Sequence, residues 1–308
     1  LLTEAETVFH AIPLGLVRRL AQGPWIRLYS FNGDVVLNAQ LQTILSLEDY
    51  AAATSDVAAA DLAASMLASA QRLLPRFDTG YWSLYSLAGD ESPLEYHTYD
   101  ILLLNKLAAR HPEGPWAQAA ARFTAYRTQP PSFRVGPAPG TLYPRPVDGY
   151  KDVAPIRFWL SKRSRVTVAA DGRATTLWLS HGSHTLWWSP GSLRPGSYRP
   201  TLNAVDLAGN RTSLALPPIT VAWDTTPPDV TASAAGKRLT WHATDPGTPW
   251  LDLRVLLAGG GRHVTLRLGR RGLSGSTTLR LPRGRWSAAL VAANSAGRRT
   301  RVPLGLVP

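Results

Sequence analysis

The sequence predicts a multidomain protein in which an all-α domain is followed by two all-β sandwiches. Three observations predict this fold class. The length of 308 residues suits two or three domains. Apolar residues recur at three- and four-residue spacing before residue 128, whereas after residue 155 they alternate in short runs. We therefore expect these units: a helical domain at 1–131, a linker at 132–150, and β-modules at 151–222 and 223–308.

The first half of the chain has the periodicity of helices joined by short connections. Ser55 is predicted to cap the alanine-rich third helix, with Asp56 in its first turn. Short connections favour antiparallel neighbours, so we expect αα-hairpins. The predicted helices cover residues 3–21, 36–53, 56–74, 94–110 and 115–128.

The second half of the chain contains short alternating runs and an internal repeat. LRPGSYRPTLNAVDLAGNRT at 193–212 aligns without gaps with LPRGRWSAALVAANSAGRRT at 281–300. The two stretches begin 88 residues apart, and this interval suits one small sandwich per repeat. Both modules resemble bacterial immunoglobulin-like or fibronectin type III-like repeats, and DTTPP at 224–228 resembles a joint between such modules. The clearest predicted strands are IRFWL, RVTVAA, TTLWLS and HTLWWS.

Charge is distributed unevenly along the chain. Residues 1–131 carry 9 Lys/Arg against 13 Asp/Glu, a net of −4, so residues 132–308 carry 24 against 8, a net of +16. One interpretation is an Arg-rich solvated surface. The other is attraction of the β-modules to a polyanion, such as an anionic cell-wall polymer. No nucleic-acid partner is predicted, because no nucleic-acid-binding motif is present.

Several kinds of chemistry and location are excluded or left open by the composition. There are no cysteines, and the sequence lacks HExxH, GxSxG and phosphate-binding glycine motifs, so no metal or cofactor is predicted. No apolar run is long enough for a transmembrane segment. The chain opens on Leu1, so we expect a signal peptide or domain upstream and an extracellular or cell-surface location.

Three stretches of the helical half carry a family resemblance. They are LYSFNGDVVLNAQLQTILSLEDY at 28–50, LLPRFDTGYWSLYSL at 73–87 and YHTYDILLLNKL at 96–107. Together they resemble the C-terminal catalytic domain of D-glucuronyl C5-epimerase. The resemblance implies an α/α-barrel type domain, and full-length family members carry a β-rich portion before it. It also implies an isomerase that epimerises C5 of hexuronic acid residues in an acidic polysaccharide, in the D-glucuronate to L-iduronate sense.

The resemblance implies catalytic tyrosines at Tyr29, Tyr85 and Tyr96. Epimerisation requires a group on each face of the sugar to exchange the C5 proton, and the charge growing on the neighbouring carboxylate must be neutralised. Tyrosine can exchange the proton if a cation or hydrogen bond lowers its pKa from about 10. The predicted substrate-binding residues are His97, Asn38, Gln42, Trp82 and Arg76.

Each of these residues also has a structural interpretation. Tyr85 and Trp82 suit a turn or the core, His97 suits a helix N-terminal turn, and Asn38 suits a helix brace. Asp78 in FDTG is predicted to form an Asx-type turn rather than to act as an acid.

The sequence also departs from the family pattern. The arginine expected after the second tyrosine is absent, so Arg27, Arg76 or the upstream segment would have to supply the cation. Asp100 stands where a second histidine is expected, and Glu48 and Glu95 are the nearest candidates for the catalytic carboxylate. Two alternative functions therefore stay open: a uronate polysaccharide lyase, and a non-catalytic acidic-glycan-binding surface protein with a degenerate domain.

Overall fold

The computed structural model describes residues 2–308, with the side chains of residues 2 and 11–14 excepted. Its first part is helical, as predicted, and no helix within the described residues has the length and apolar character needed to cross a membrane. The helices are α1 (Leu2–Gly15), α2 (Leu37–Thr54), α3 (Val57–Leu73), α4 (Leu94–Arg110) and α5 (Trp116–Thr128), with a 3-10 helix at Leu74–Phe77.

The helix predicted at 3–21 is too long. It ends at Gly15, and the following residues form an antiparallel hairpin of β1 (Val17–Leu20) and β2 (Gly23–Ile26). The buried Gln40 of α2 holds this hairpin, because its Oε1 accepts from the Ile26 amide and its Nε2 donates to the Pro24 and Met66 carbonyls. Periodicity alone could not distinguish four strand residues from one more helical turn.

A side chain at position 23 would require the Ser69 side chain to move and the backbone to keep a positive φ. Gly23 has a φ of +124°, and a Cβ built there would lie 2.2 Å from Ser69 Oγ. We expect Gly23→Ala to lower the free energy of unfolding by about 3 kcal/mol, through backbone strain and overpacking. Urea denaturation followed by helix circular dichroism measures this. Gly15→Ala is the control, because nothing lies within 4 Å of its Cβ position; equal losses in both variants would refute the steric explanation.

The junction between α2 and α3 differs from prediction by one residue. Ser55 has φ 59° and ends α2, whereas Asp56 caps α3 by accepting a hydrogen bond from the Ala59 amide. Asp and Ser are both good caps, so the motif alone did not determine which one acts.

The helices pack around one core. α2 packs against α3, α4 against α5, and α2 against α4. Because Gln42 contacts Tyr99 and Glu48 contacts Arg110, α2 and α4 run in the same direction. Their N-terminal ends therefore lie side by side. The largest fully buried side chains of this core include Trp25, Phe77, Trp116 and Phe123.

The second part of the chain forms two sandwiches with the same strand order. In each, a three-stranded sheet faces a four-stranded one, with orders β3-β4-β7 and β10-β9-β5-β6 in the first, and β12-β13-β16 and β18-β17-β14-β15 in the second. The strands of the first are β3 (Phe133–Val135), β4 (Ala154–Leu160), β5 (Ser164–Ala170), β6 (Arg173–Leu179), β7 (Gly182–Trp188), β8 (Gly196–Tyr198), β9 (Thr201–Asp206), β10 (Arg211–Ala215) and β11 (Ile219–Val221). Those of the second are β12 (Asp229–Ala235), β13 (Arg238–Thr244), β14 (Trp250–Gly259), β15 (Arg262–Gly272), β16 (Ser274–Thr278), β17 (Trp286–Ala293) and β18 (Arg299–Val307). All four strands predicted in the first module are confirmed.

The segment predicted as a linker contains the first strand of a sandwich, since β3 pairs with β4. The incoming chain docks on both modules in the same way. Thr212 Oγ1 donates to the Pro131 carbonyl, and Thr300 Oγ1, 88 residues later, donates to the Pro228 carbonyl. QPPS and TPPD are therefore equivalent joints.

The helical domain is fastened to the first module by a buried cation. Lys162 Nζ donates to the Tyr126 and Gln129 carbonyls at the end of α5 and lies 3.0 Å from Asp206 Oδ2. Asn210 Nδ2 donates to the Arg127 carbonyl beside it. A cation at the carboxyl end of a helix satisfies its last carbonyls and complements its dipole.

Candidate functional site

The three predicted tyrosines come together at the surface. Tyr29 follows β2, Tyr85 lies in the loop before α4, and Tyr96 is in the first turn of α4. The hydroxyl oxygens of Tyr29 and Tyr85 are 2.6 Å apart, and the ring centroids of Tyr85 and Tyr96 are 5.2 Å apart with their planes tilted by 54°. Tyr96 is 43% exposed, and the other two are half-buried. Segments up to 67 residues apart in sequence thus form one phenol cluster, comprising Tyr29, Tyr85 and Tyr96.

Backbone pairing fixes Tyr85 beside the start of α2. The Leu37 amide donates to the Tyr85 carbonyl, and the Leu87 amide donates to the Val35 carbonyl. The start of the loop is fastened by Asp78, whose Oδ1 accepts from the Gly80 amide and whose Oδ2 accepts from Arg122 Nε. Burial opposes ionisation of Asp78, but these hydrogen bonds outweigh it and lower its pKa. The predicted Asx turn is confirmed.

The phenol of Tyr85 stays protonated at neutral pH. Partial burial, the hydrogen bond to Tyr29 and the nearby Asp34 carboxylate all raise its pKa. No cation contacts it among the described residues. In this arrangement Tyr85 can donate a proton, whereas acting as a base would require a cation to approach.

A polar strip continues from the cluster along α2 and α4. Asn38 and Gln42 lie one turn apart on α2, and Tyr99 lies one turn after Tyr96 on α4. Tyr99 donates its hydroxyl proton to Gln42 Oε1, and Asn38 Oδ1 is buried without a hydrogen-bond partner in the described structure. Because this oxygen is buried, it can accept from a sugar hydroxyl only after the Asn38 side chain turns outward. Tyr99 is not among the residues predicted from the sequence, although its three-residue spacing from Tyr96 indicates a shared helix face.

Two predicted substrate-binding residues lie in the core instead. His97 is fully buried: its ring stacks on Trp82 at 3.8 Å, Nδ1 lies 2.7 Å from Ser83 Oγ, and Nε2 lies 2.9 Å from the Phe123 carbonyl. Trp82 is 3% exposed and donates Nε1–H to the Ser92 carbonyl. Protein groups contact both imidazole nitrogens of His97, and the Trp82 indole is buried with its N–H already bonded. Neither residue is free to bind a sugar in this structure, so both have structural roles instead of the predicted substrate-binding ones.

Burial of His97 should make the stability of this domain depend on pH. Burial lowers its pKa from 6.5 to about 4, so the unfolded chain binds the extra proton between these values. The contribution of neutral His97 is complete above pH 6.5 and is lost as the pH falls towards 4, a change of about 3 kcal/mol. The buried Asp100 makes stability fall as the pH rises, which is the opposite direction, because burial raises the pKa of its carboxyl.

A comparison of wild type with a His97 variant separates the contribution of His97 from that of Asp100. We expect wild type to gain stability over His97→Phe, which retains a ring but cannot titrate, as the pH rises from 4 to 6.5. Urea denaturation at a series of pH values measures the difference. A difference that does not change with pH would contradict a neutral buried His97.

The remaining predicted groups lie apart from the cluster. Arg76 is exposed on the 3-10 helix, and no contact among the described residues joins it to the tyrosines. Glu48 is occupied by Arg110 at 3.0 Å and His111 at 2.6 Å, about three turns along α2 from Tyr85. Glu95 and Arg27 are exposed within two residues of Tyr96 and Tyr29, respectively.

Two charged residues near the cluster were not predicted. Asp34 lies close enough to Tyr85 to raise the pKa of its phenol. Arg18, expected within a helix, lies on β1 and donates from Nη1 to the Gly33 carbonyl, in the loop that follows Tyr29. Arg18 was not predicted, because the first helix was expected to extend through this position.

Residues 5–125 match the sequence model of the D-glucuronyl C5-epimerase C-terminus. The helical domain is similar to this family over nearly its whole length. The match covers less than half of the chain and includes the whole phenol cluster and the polar strip. The epimerase-family domain is followed by the two sandwiches, as the sequence predicted. No curated protein is similar enough to the chain to count as a match.

Several solved structures are similar to part of the chain at low identity. The fibronectin(III)-like modules of Clostridium thermocellum CbhA are 14% identical, over 57% of this chain and 93% of theirs, with a TM-score of 0.25. The chicken CNTN1 FN1–FN3 domains are 15% identical, over 57% of this chain and 65% of theirs, with a TM-score of 0.25. Bacteroides ovatus SGBP-B, solved with a mixed-linkage heptasaccharide, is 15% identical, over 58% of this chain and 47% of its own, with a TM-score of 0.22. The chain thus spans less than two thirds of the last two, and likenesses this weak carry no functional argument.

Proposed function

We propose that the epimerase-family domain exchanges the C5 proton of hexuronate residues in an acidic polysaccharide, converting D-glucuronate to L-iduronate type residues. The convergence of Tyr29, Tyr85 and Tyr96 on one exposed patch carries this proposal. The C5 hydrogen lies beside a carboxylate, so its removal requires an oriented acid and base. An α/α-barrel arrangement around this patch and an extracellular or cell-surface location belong to the same proposal.

The three phenols have different tasks in this proposal. Tyr85, whose pKa is raised, delivers a proton to one face of C5, and Tyr29 orients its hydroxyl through their 2.6 Å contact. Tyr96, the most exposed of the three, removes the original C5 proton from the other face and must therefore react as the phenolate. The rings of Tyr85 and Tyr96 touch, so the sugar approaches their hydroxyl ends rather than entering between the ring faces.

The reaction also needs positive charge at the sugar carboxylate. Arg18 and Arg27 are the candidates, because Arg18 contacts the loop after Tyr29 and Arg27 precedes Tyr29 by two residues. A guanidinium placed there would neutralise the growing enolate and lower the pKa of a neighbouring phenol. The polar strip of Asn38, Gln42 and Tyr99 supplies hydrogen bonds for the neighbouring sugars of the polymer.

The test is exposure of the full-length protein to a glucuronate polymer in deuterated water. An epimerase incorporates deuterium at C5 and forms L-iduronate residues. A lyase instead produces an unsaturated sugar that absorbs in the ultraviolet, which would refute the proposal in favour of that alternative.

A non-catalytic glycan-binding domain is the second candidate function. The raised pKa of Tyr85, with no cation in contact with it among the described residues, favours this candidate. It predicts that the full-length protein binds uronate polymers and exchanges no C5 proton at any pH. Deuterium exchange therefore decides between the two.

A further inference from the structure

The outer face of the four-stranded sheet in the second β-module carries a cluster of arginines. Cross-strand pairing places Arg270, Asp252, Ala293 and Arg299 in one row. The next row on the same face contains Arg267, Arg254, Val291 and Arg301. These two rows thus hold five arginines against one carboxylate, with two arginines on β15, one on β14 and two on β18.

This face is concave along β17. The β17 residues between the arginines are small, and a depression of about 570 Å³ is lined by Arg254, Arg270, Arg299 and Trp250 among others. Its lining extends from β15 across β14 and β17 to Arg299 on β18. Adjacent strands are about 4.8 Å apart, so β15 and β18 are separated by about 14 Å, which leaves room for a single extended polymer chain.

The arginines are available for a ligand. Arg267, Arg299 and Arg301 are exposed and have no hydrogen-bond or ion-pair partner among the described residues. Arg270 lies over the Trp250 ring at 4.1 Å, which holds its guanidinium extended, and Arg254 bonds Asp252 at 3.0 Å. A planar guanidinium binds a carboxylate through two parallel hydrogen bonds.

The first β-module lacks this feature at the equivalent face. Its corresponding row contains Arg211, Val205, Arg165 and Trp178, and the next row, Ser213, Asn203, Thr167 and Thr176, is uncharged. The two modules share a strand order, so the arginines are not a requirement of the sandwich. The charge is concentrated on one face of one module.

We propose that this face, called the arginine trough, binds a carboxylate-bearing polysaccharide. Its arginines would bind the carboxylates of successive uronate residues, while the small apolar residues of β17 contact the sugar rings. Two side chains on one strand face are about 6.8 Å apart, so Arg299 and Arg301 can engage separate carboxylates of one chain. The choice of a uronate polymer rests on the proposed function of the helical domain.

The test measures binding of the full-length protein to an immobilised glucuronate homopolymer, with its carboxyl-reduced, neutral form as a reference. Arg299→Ala/Arg301→Ala should weaken binding about tenfold or more, because two charge-assisted contacts are lost. Lys237→Ala/Arg238→Ala is the matched control, since it removes the same charge at the hairpin of the opposite sheet. It should change binding less than threefold.

Three results would overturn the proposal. Equal losses in both double variants would show attraction by net charge alone. Equal binding of the neutral polymer would exclude carboxylate recognition. Tighter binding of duplex DNA with the same dependence on Arg299 and Arg301 would reassign the trough to nucleic acid. Binding is separable from catalysis: an inactive protein that still binds through the trough contradicts only the proposed function.

Discussion

Lys162→Met is expected to lower the free energy of unfolding by about 3–5 kcal/mol, because it removes one partner of a buried ion pair. The Lys162 and Asp206 side chains are 5% and 1% exposed, and the lost ammonium also leaves the Tyr126 and Gln129 carbonyls without their donor. Urea denaturation followed by circular dichroism and tryptophan fluorescence measures the loss. Both signals should shift together, because the cation joins the helical domain to the first module.

The neighbouring residue provides the control for Lys162. Arg163→Met makes the same charge change at an exposed position and should alter stability by less than about 0.5 kcal/mol. Adding Asp206→Asn to Lys162→Met should recover part of the loss, because the uncompensated buried charge is then removed. If Lys162→Met unfolds at the same urea concentration as Arg163→Met, the buried pair does not stabilise the junction.

Tyr85→Phe is expected to reduce C5 deuterium exchange by about 10²- to 10⁴-fold, the usual contribution of a positioned general acid or base. The substitution removes only the hydroxyl that contacts Tyr29 and retains the ring that packs on Tyr96. The folded structure should therefore be preserved, as circular dichroism can verify. Exchange measured by proton resonance loss on a glucuronate polymer is the readout.

Tyr81→Phe is the matched control for Tyr85. Its hydroxyl belongs to the same loop but donates to Glu91, and its ring stacks on His181 of the first module. Exchange should stay within about threefold of wild type. Comparable losses at both positions would mean that the loop is merely disturbed, and full exchange by Tyr85→Phe would exclude its role as acid.

The pattern of the chain predicted most of its secondary structure. The helices at 94–110 and 115–128 and the four strands of the first module follow from the periods of 3.6 and 2 residues. The errors lie where local signals conflict or are short. Ser55 and Asp56 are both good caps, and β1 is too short to show its own period.

Local pattern could not separate site residues from core residues. Tyr96 and His97 are adjacent in sequence, yet Tyr96 is 43% exposed and His97 is fully buried, because consecutive helical positions point about 100° apart. The sequence motif predicted a site role for both residues. Asp34 and Arg18 were missed because their relation to Tyr29 and Tyr85 depends on the loops and the hairpin.

The sequence by itself therefore determined the helical domain and the two sandwich repeats, because these follow from local spacing, and the family resemblance predicted the three tyrosines. Only the tertiary structure decided which groups meet. The Tyr29–Tyr85 contact, the Lys162–Asp206 pair and the arginine rows join residues tens of positions apart. Such contacts depend on side-chain direction and strand register, which are set when the elements pack and not by the order of residues within any one of them.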